Sequence, residues 1–500
     1  MNQSANILRK DFNYLRSQLL IPCSALLLAT GIEVASRSSG PLQLFSLPAL
    51  ARGMVILFCL SWIVVIVNLI HSERLVGLNQ FWTTRPYEWP KLLLAKCYFL
   101  LLLLYLPLVA SQVFVLLTAG LSIVHSLGPL LLNLLLLTAT IVLPASCAAA
   151  LTRTTNQAML VLLGMFSAFV AAVAITRSAN GLMPGWLIPA QMVAAAIVLG
   201  AALVHQYRTR KTQRSMQILL LAPLLICIAQ STIPGSTLAA NSYTRVDGEP
   251  PLSVRFDTDP LRTMPRITIG EHSTRLWLHT PLLISHQQPG ASFSVDAHRV
   301  VLTAPGGYTW SSPWTSVSEI IPAAPFTSER SGDSQSPIPL RVYQRLGGQP
   351  VSLRIQFALV QFQDQAPRSA TLSIDGANIP NLGVCALDHA YSQISCRSAF
   401  RDPPPFAIST VRKVGPCTAV DAPTEPASAE LGDLSQISAI PQIDPVIETP
   451  VRLTLSRKQG YLCPGLPIQF VERKFQRKLQ AQTPPVSIHL NDYITALQLQ

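Results

Sequence analysis

Cys97–Ala119 reads CYFLLLLLYLPLVASQVFVLLTA, a run without a single charge. Crossing a hydrocarbon core as a helix takes about 17–25 predominantly apolar residues. Pro107 inside the run is tolerated in a membrane helix and predicts a kink there. Outward from this run, further apolar stretches lie near 19–35, 53–70, 128–151, 158–175, 185–205 and 217–233. About seven membrane helices are therefore expected within residues 19–233. The chain has 500 residues, 49% hydrophobic and 12% charged, where about a quarter charged is usual. That balance excludes a disordered chain and a simple soluble enzyme.

Charge is divided unevenly. Residues 1–233 hold 15 Lys and Arg against 4 Asp and Glu, whereas residues 234–500 hold 22 against 21. The net charge of +12 thus belongs almost wholly to the apolar half, which points to membrane topology and not to nucleic acid. Arg9, Lys10, Arg16, Arg74, Arg85, Lys91, Lys96, Arg153, Arg208, Arg210, Lys211 and Arg214 fall in the N-terminal segment and every second loop. The alternate loops carry only Arg37, Arg52 and Arg177. Basic flanks stay on the cytoplasmic side. The N-terminus is expected there, and seven crossings leave residues 234–500 extracytoplasmic. A basic segment before a short apolar run also fits a cleaved signal peptide; the spans that follow favour a retained anchor.

Residues 1–18 are expected to include an interfacial amphipathic helix. Leu8, Phe12, Leu15 and Leu19 fall on one helical face, with Arg9, Lys10, Asp11 and Arg16 mostly away from it. In the spans themselves no ionisable residue lies mid-membrane; Glu33 and His205 sit near span ends. Ion-coupled carriers usually place ionisable groups there, so secondary transport is disfavoured. Asn68, Gln112, Asn133 and Gln191 are expected to bond between helices.

The loop from His71 to Lys96, HSERLVGLNQFWTTRPYEWPKLLLAK, is long for a connection between two membrane helices. Leu75, Leu78 and Trp82 predict one apolar face of a short helix, which Arg85-Pro86 ends. Tyr87, Trp89 and Lys91 suit a membrane interface. On Glu73, Arg74, Gly77, Phe81, Trp82, Thr83, Thr84, Arg85, Pro86 and Leu92 to Lys96, this loop resembles the permease subunit of ABC-2-type transporters. The N-terminal ILRKDFNYLRSQLL is similar to the family's leading helix. The resemblance covers roughly residues 5–233, with detail only in 5–20 and 71–96. A family permease usually has six helices, so the seventh span and the large C-terminal region are additions.

The resemblance implies a mechanical role. The short cytoplasmic helix would sit in a groove of a separate ATPase, a helix-in-groove contact. Glu73, Arg74, Gly77, Phe81, Trp82, Thr83, Arg85 and Pro86 would make that contact. The chain has no G-x-x-x-x-G-K-[ST] loop of its own. No cofactor is expected on this chain; ATP and Mg²⁺ belong to a partner ATPase. A second permease copy or paralogue and the lipid bilayer complete the expected partners, and nucleic acid is not among them. A membrane-surface helix without a partner is the plainer alternative for the same residues.

Residues 234–500 hold 29 of the 40 prolines. Short alternating runs recur at Leu252–Phe256, Arg275–His279, Ser292–Asp296, Arg299–Leu302, Leu353–Phe357 and Ala370–Ile374, separated by turn residues such as Gly306-Gly307 and Gly347-Gly348. This density predicts an all-β, sandwich-like domain over 234–421. Residues 422–450 read as a linker or long loop, and 451–500 as a C-terminal strand segment of the same domain. Phe470–Gln480 carries the one longer helical pattern.

Five cysteines, Cys23, Cys59, Cys97, Cys147 and Cys227, lie in apolar spans as packing residues. Cys385, Cys396, Cys417 and Cys463 lie in the outer half, where four thiols predict two disulfides. Three connectivities exist; Cys385–Cys396 and Cys417–Cys463 are favoured. Zinc lacks CxxC or HxxxH spacing. His272, His279 and His286 recur every seven residues, which on a strand puts successive rings on opposite faces. Asp257, Asp259 and Asp296 read as turn residues, and no catalytic constellation stands out. The expected protein is therefore a permease subunit of an ABC-2-type export system in a bacterial inner membrane, not itself an enzyme. A non-transporting, membrane-anchored binding or sensor protein is the alternative from another class.

Overall fold

The computed structural model describes residues 3–38, 47–72, 88–179, 187–219, 242–245, 252–256, 276–286, 290–321, 330–346, 348–371, 373–374, 376–387, 393–400, 405–413, 417–418, 424–431, 443–451 and 462–496. The first half is helical. The helices are α1 (Gln3–Ser38), α2 (Leu47–His71), α3 (Trp89–Leu100), α4 (Leu106–Thr118), α5 (Ile123–Leu137), α6 (Leu143–Leu151), α7 (Thr155–Ala179) and α8 (Leu187–Thr209). Among the described residues five helical stretches are long and apolar enough to cross a membrane: Ala5–Ala35, Gly53–His71, Trp89–Thr118, Ile123–Leu151 and Gln191–Thr209. The expectation was about seven. In α7 the searched apolar stretch is only Thr155–Ala168, and most of 217–233 lies outside the described residues. Outward faces stay apolar, with Leu27, Leu60, Leu131, Leu135, Leu163 and Phe166 exposed, as lipid contact requires.

Two of these stretches are built alike. A π turn, Leu101–Tyr105, joins α3 to α4, and a second, Thr138–Val142, joins α5 to α6. Pro107 and Pro144 stand at the start of the following helical segments. Proline supplies no N–H and crowds the preceding turn; an inserted residue relieves that conflict locally. Thr138 Oγ1 donates to the Leu134 carbonyl at 2.7 Å, so the neighbouring Tyr105 hydroxyl donates to Thr138. The two π turns are thereby bonded to each other.

α1 runs unbroken from Gln3 through Pro22, so the expected interfacial helix is the beginning of the first apolar helix. Its buried face keeps Leu15 and Leu19 of the expected one but turns toward Ile7 and Asp11 and away from Phe12. Ile7, Asp11, Leu15 and Leu19 are buried, while Phe12 is exposed.

The second half is β-structure in three sheets. The largest has ten strands: β1 (Thr244–Arg245), β4 (Ala291–Thr303), β5 (Thr309–Ser311), β6 (Thr315–Ile321), β8 (Pro350–Asp364), β9 (Arg368–Thr371), β13 (Phe406–Lys413), β14 (Thr424–Leu431), β16 (Pro467–Gln482) and β17 (Val486–His489). A second holds β2 (Leu252–Phe256), β3 (Leu276–His286), β7 (Arg330–Ile338) and β18 (Ile494–Ala496). The third holds β10 (Ala377–Ile379), β11 (Gly383–Leu387), β12 (Ile394–Ala399) and β15 (Val446–Val451). Each small sheet packs on one part of the large sheet. Val254, Leu276 and Leu278 meet Phe293, Leu353 and Leu479, whereas Leu387, Ile394 and Cys396 meet Phe406, Ile408 and Phe470. The result is two sandwiches that share β16. Phe357 to Phe362 of β8 is buried on both faces, because Tyr243, Trp314 and Phe362 form a further core behind it.

Three expectations change here. The 422–450 stretch carries β14 and most of β15, both of which lie at sheet edges. Phe470–Gln480 is part of strand β16 and not a helix. Asp296 is no turn residue: it lies at a bulge in β4 and accepts a 2.6 Å hydrogen bond from the Tyr243 hydroxyl. Burial, then the Asp296 charge and that bond, push the Tyr243 hydroxyl well above its ordinary pKa. Asp257 and Asp259 lie outside the described residues.

The disulfides join Cys385 to Cys396 and Cys417 to Cys463, the favoured pairing. Cys385 and Cys396 are direct partners across β11 and β12. Gly383 is required at the start of β11: φ is +108°, and a Cβ there would lie 1.9 Å from the Arg397 carbonyl oxygen.

His298 of β4 is buried beside Ser336, with Nε2 and the hydroxyl oxygen 3.0 Å apart. Burial lowers its pKa from 6.5 to about 4. The unfolded chain therefore holds a proton that the folded chain does not between those values. Stability is full above the unfolded pKa and declines as pH falls, by at most about 1.4 kcal/mol per pH unit. Between pH of about 7 and about 5 the melting temperature of the native protein should fall more steeply than that of His298→Asn. Parallel curves, read by near-ultraviolet circular dichroism, would remove His298 as the titrating group.

Candidate functional site

The helical half has two chemically different ends. At one end, Val115, Leu116, Ala119, Leu121 and Leu130 pack against Phe400 and Val446 of the β region. Gln112 Nε2 donates to the Ile443 carbonyl at 3.1 Å, so this amide reaches the β region, where a bond between helices was expected. The third sheet therefore rests on these helix ends. The opposite end gathers Asp11, His71, Ser72, Lys96, Thr152 and the start of α7.

At that basic end, Asp11 and Lys96 are both buried, with side chains 0% and 4% exposed. Lys96 Nζ donates to Asp11 Oδ2 at 2.7 Å and to Ser72 Oγ at 3.1 Å. The Ser72 hydroxyl donates to the Leu69 carbonyl at 2.8 Å and lies 3.4 Å from Asp11 Oδ1. A second layer adjoins it. Asn68 Nδ2 donates to Gln18 Oε1 at 2.8 Å, and Thr155 Oγ1 donates to Asn68 Oδ1 at 3.3 Å. Thr152 Oγ1 lies 3.4 Å from His71 Nε2. These contacts link α1, α2, α3 and the start of α7.

The geometry has a direct consequence for the loop. Ser72 is the residue immediately before 73–87, and α3 begins two residues after it, at Trp89 with Pro90 in its first turn. Ser72 and Lys96 bond the two flanks of the loop to Asp11 of α1. Both ends of the loop are thus held on one platform.

The residues expected to meet an ATPase, Glu73, Arg74, Gly77, Phe81, Trp82, Thr83, Arg85 and Pro86, lie outside the described residues. Asp11 and Ser72 were not singled out as site residues from the sequence, whereas Asn68 bonds between helices, to Gln18 of α1, as expected. A signal for the pair existed. Lys96 is a lone cation in LLLAKCYFL, and Asp11 falls in phase with Ile7 and Leu15 on a helix. Opposite charges stranded on apolar faces are expected to find one another, because burial of either alone is costly. Among the described residues no three His, Cys, Asp or Glu side chains come together as a metal site. Compared with known proteins, the chain matches no family model, no curated protein and no solved structure.

Removing one partner of a buried ion pair strands the other charge, at about 3–5 kcal/mol, whereas apolar replacement of both is often near neutral. Lys96→Met and Asp11→Leu alone should each sharply lower the thermal stability of the detergent-purified protein. The double variant should regain most of it. A double variant as unstable as the sum of the two singles would mean that the pair is not coupled.

Proposed function

We propose that this chain is the membrane-spanning permease subunit of an ATP-driven ABC-2-type export system. It lacks an ATPase of its own and works with a cytoplasmic ATPase that holds ATP and Mg²⁺. Its basic end faces the cytoplasm of a bacterial cell, about seven helices cross the inner membrane, and the disulfide-linked β region stands outside. A second permease copy or paralogue completes the pore.

The observation that carries this reading is the Asp11–Lys96–Ser72 cluster. It joins the two segments on which the resemblance rests, the leading helix and the loop with its return into the third span. A loop that receives force from an ATPase needs stiff attachment at both ends; otherwise ATPase closure moves only the loop. Buried charge-assisted bonds supply such stiffness. From this platform α3 runs through the π turn into α4, whose far end touches the β region. Motion of the loop thus has a continuous packed route to the outer region.

The test is a pull-down of tagged full-length protein in mild detergent, with mass spectrometry of co-purifying chains. A stoichiometric ATPase is expected with the native protein. Gly77→Trp and Arg85→Glu should each release it while membrane insertion stays normal. Absence of any ATPase from correctly folded protein would overturn the permease reading in favour of an anchored extracytoplasmic binder. Retention of the ATPase by both variants would remove the loop as its contact.

A further inference from the structure

The helical interruptions lie at one level of the bundle. Pro22 of α1, Trp62 of α2, Leu103 and Leu104 of the first π turn and Pro107 of α4 line one small cavity of about 10 Å³. The Tyr105–Thr138 bond places the second π turn, followed by Pro144, beside it. A proline donates nothing to the carbonyl four residues earlier, so Pro22, Pro107 and Pro144 give no bond to Gln18, Leu103 and Thr140. By contrast, α2 carries no proline between Gly53 and His71. Its Trp62 is buried against Tyr105, with ring centroids 5.5 Å apart, and the indole N–H has no hydrogen-bond partner among the described residues. The unbroken helix thus meets the broken ones here through apolar contact, which slides more readily than a polar bond. The cavity holds nothing larger than a water molecule; what it offers is clearance.

Each side of this level is tied within itself. Toward the loop end, Asp11, Gln18, Asn68, Ser72 and Lys96 hold α1, α2 and α3 together, and Ala145 and Ala149 bring α6 into the same core. Toward the β end, Thr30 Oγ1 donates to the Leu26 carbonyl at 2.7 Å, so Ser111 Oγ donates to Thr30 at 2.6 Å. That bond joins α1 beyond Pro22 to α4 beyond Pro107. Val34, Val115, Leu116 and Leu130 then pack α1, α4 and α5 into one group with Phe400 and Val446 of the third sheet. We propose that Pro22 and the two bonded π turns form one transverse hinge, about which the β-end parts of α1, α4 and α5 tilt as a body with the third sheet. Tyr105 and Thr138 make α4 and α5 bend together, and Thr30 and Ser111 carry α1 with them. With 13 residues α4 is about 20 Å long, so a tilt of about 15° moves its far end by about 5 Å. The hinge is a property of the helices alone. It goes beyond the permease reading and would serve an anchored sensor equally.

Double electron–electron resonance on the full-length protein in lipid nanodiscs, with no ATPase present, tests this. Spin labels on a genetically encoded ketone residue leave the native cysteines alone. One labelled pair, at the exposed positions Arg16 and Val124, spans the hinge; a control pair, at Arg16 and the exposed Arg153, lies on its loop side. The spanning pair should give a distance distribution about 5 Å broader than the control. Pro107→Ala combined with Pro144→Ala should narrow it to the control width, because both backbone donors return. Pro22→Ala alone should narrow it in part, and carries the test if the double variant does not fold. Tyr105→Phe should broaden it further, since α4 and α5 then bend separately. Equal widths for the two native pairs, or a spanning width that the proline variants leave unchanged, overturns the hinge. A Tyr105→Phe distribution identical to the native one overturns the joint bending of the two π turns. The ATPase pull-down reads a different quantity, so the hinge and the permease reading can each fail alone.

Discussion

A carboxylate and an ammonium group buried among apolar helices must face each other or not be there. Asp11 and Lys96 meet that constraint at 2.7 Å, and much of the helical half follows from it. The pair fixes the height of α1 against α3, because a shift of one turn along either helix would separate the charges by about 5 Å. Ser72 then fixes the end of α2 to the same point. In a low-dielectric setting such a pair contributes little net stability, since desolvation offsets attraction. Its value lies in register: few other alignments of these three helices leave neither charge stranded.

The opposite end is held by different physics. There Leu, Val and Phe side chains pack together, and the Gln112 amide reaches a backbone carbonyl. Apolar packing tolerates small sliding better than a buried ion pair does. The π turns lie between the two ends, joined by Tyr105 and Thr138. A bundle stiff at the loop end, interrupted in its middle and apolar at the β end suits transmission with some give. That division of labour agrees with the proposed coupling role.

The apolar spans were legible because membrane helices need only a long uncharged run, and Cys97–Ala119 meets that condition by itself. The disulfides were legible because four cysteines in one compartment leave few pairings. β16 was not. The bulge between Phe475 and Arg477 shifts the buried positions from Ile468 and Phe470 to Leu479 and Ala481, from even to odd. One extra residue breaks the period of two, and Val471, Phe475 and Leu479 then imitate a helical face. β14 and β15 were hidden by Pro426 and Pro450, residues that argue against a central strand. Both strands are terminal in their sheets, where proline is tolerated. Asp11 was misplaced because polarity alone assigned it to the solvent side. Its neutralising partner lies 85 residues away, beyond the reach of any local pattern.

The uneven charge of the sequence takes on a spatial meaning in this fold. Arg153, Arg208, Arg210 and Lys211 lie at or just beyond helix ends on the side of Lys96, while the disulfide-bearing sheet packs on the other. Basic flanks resist transfer across a membrane, and disulfides persist only in an oxidising space. These are separate chemistries, one acting during insertion and the other on the folded product. Both fit the same proposed orientation. The basic end also has to contend with its own repulsion, because cations crowded at one level of a bundle destabilise it. Internal acids relieve part of that field: Asp11 takes Lys96 and Glu88 takes Lys91.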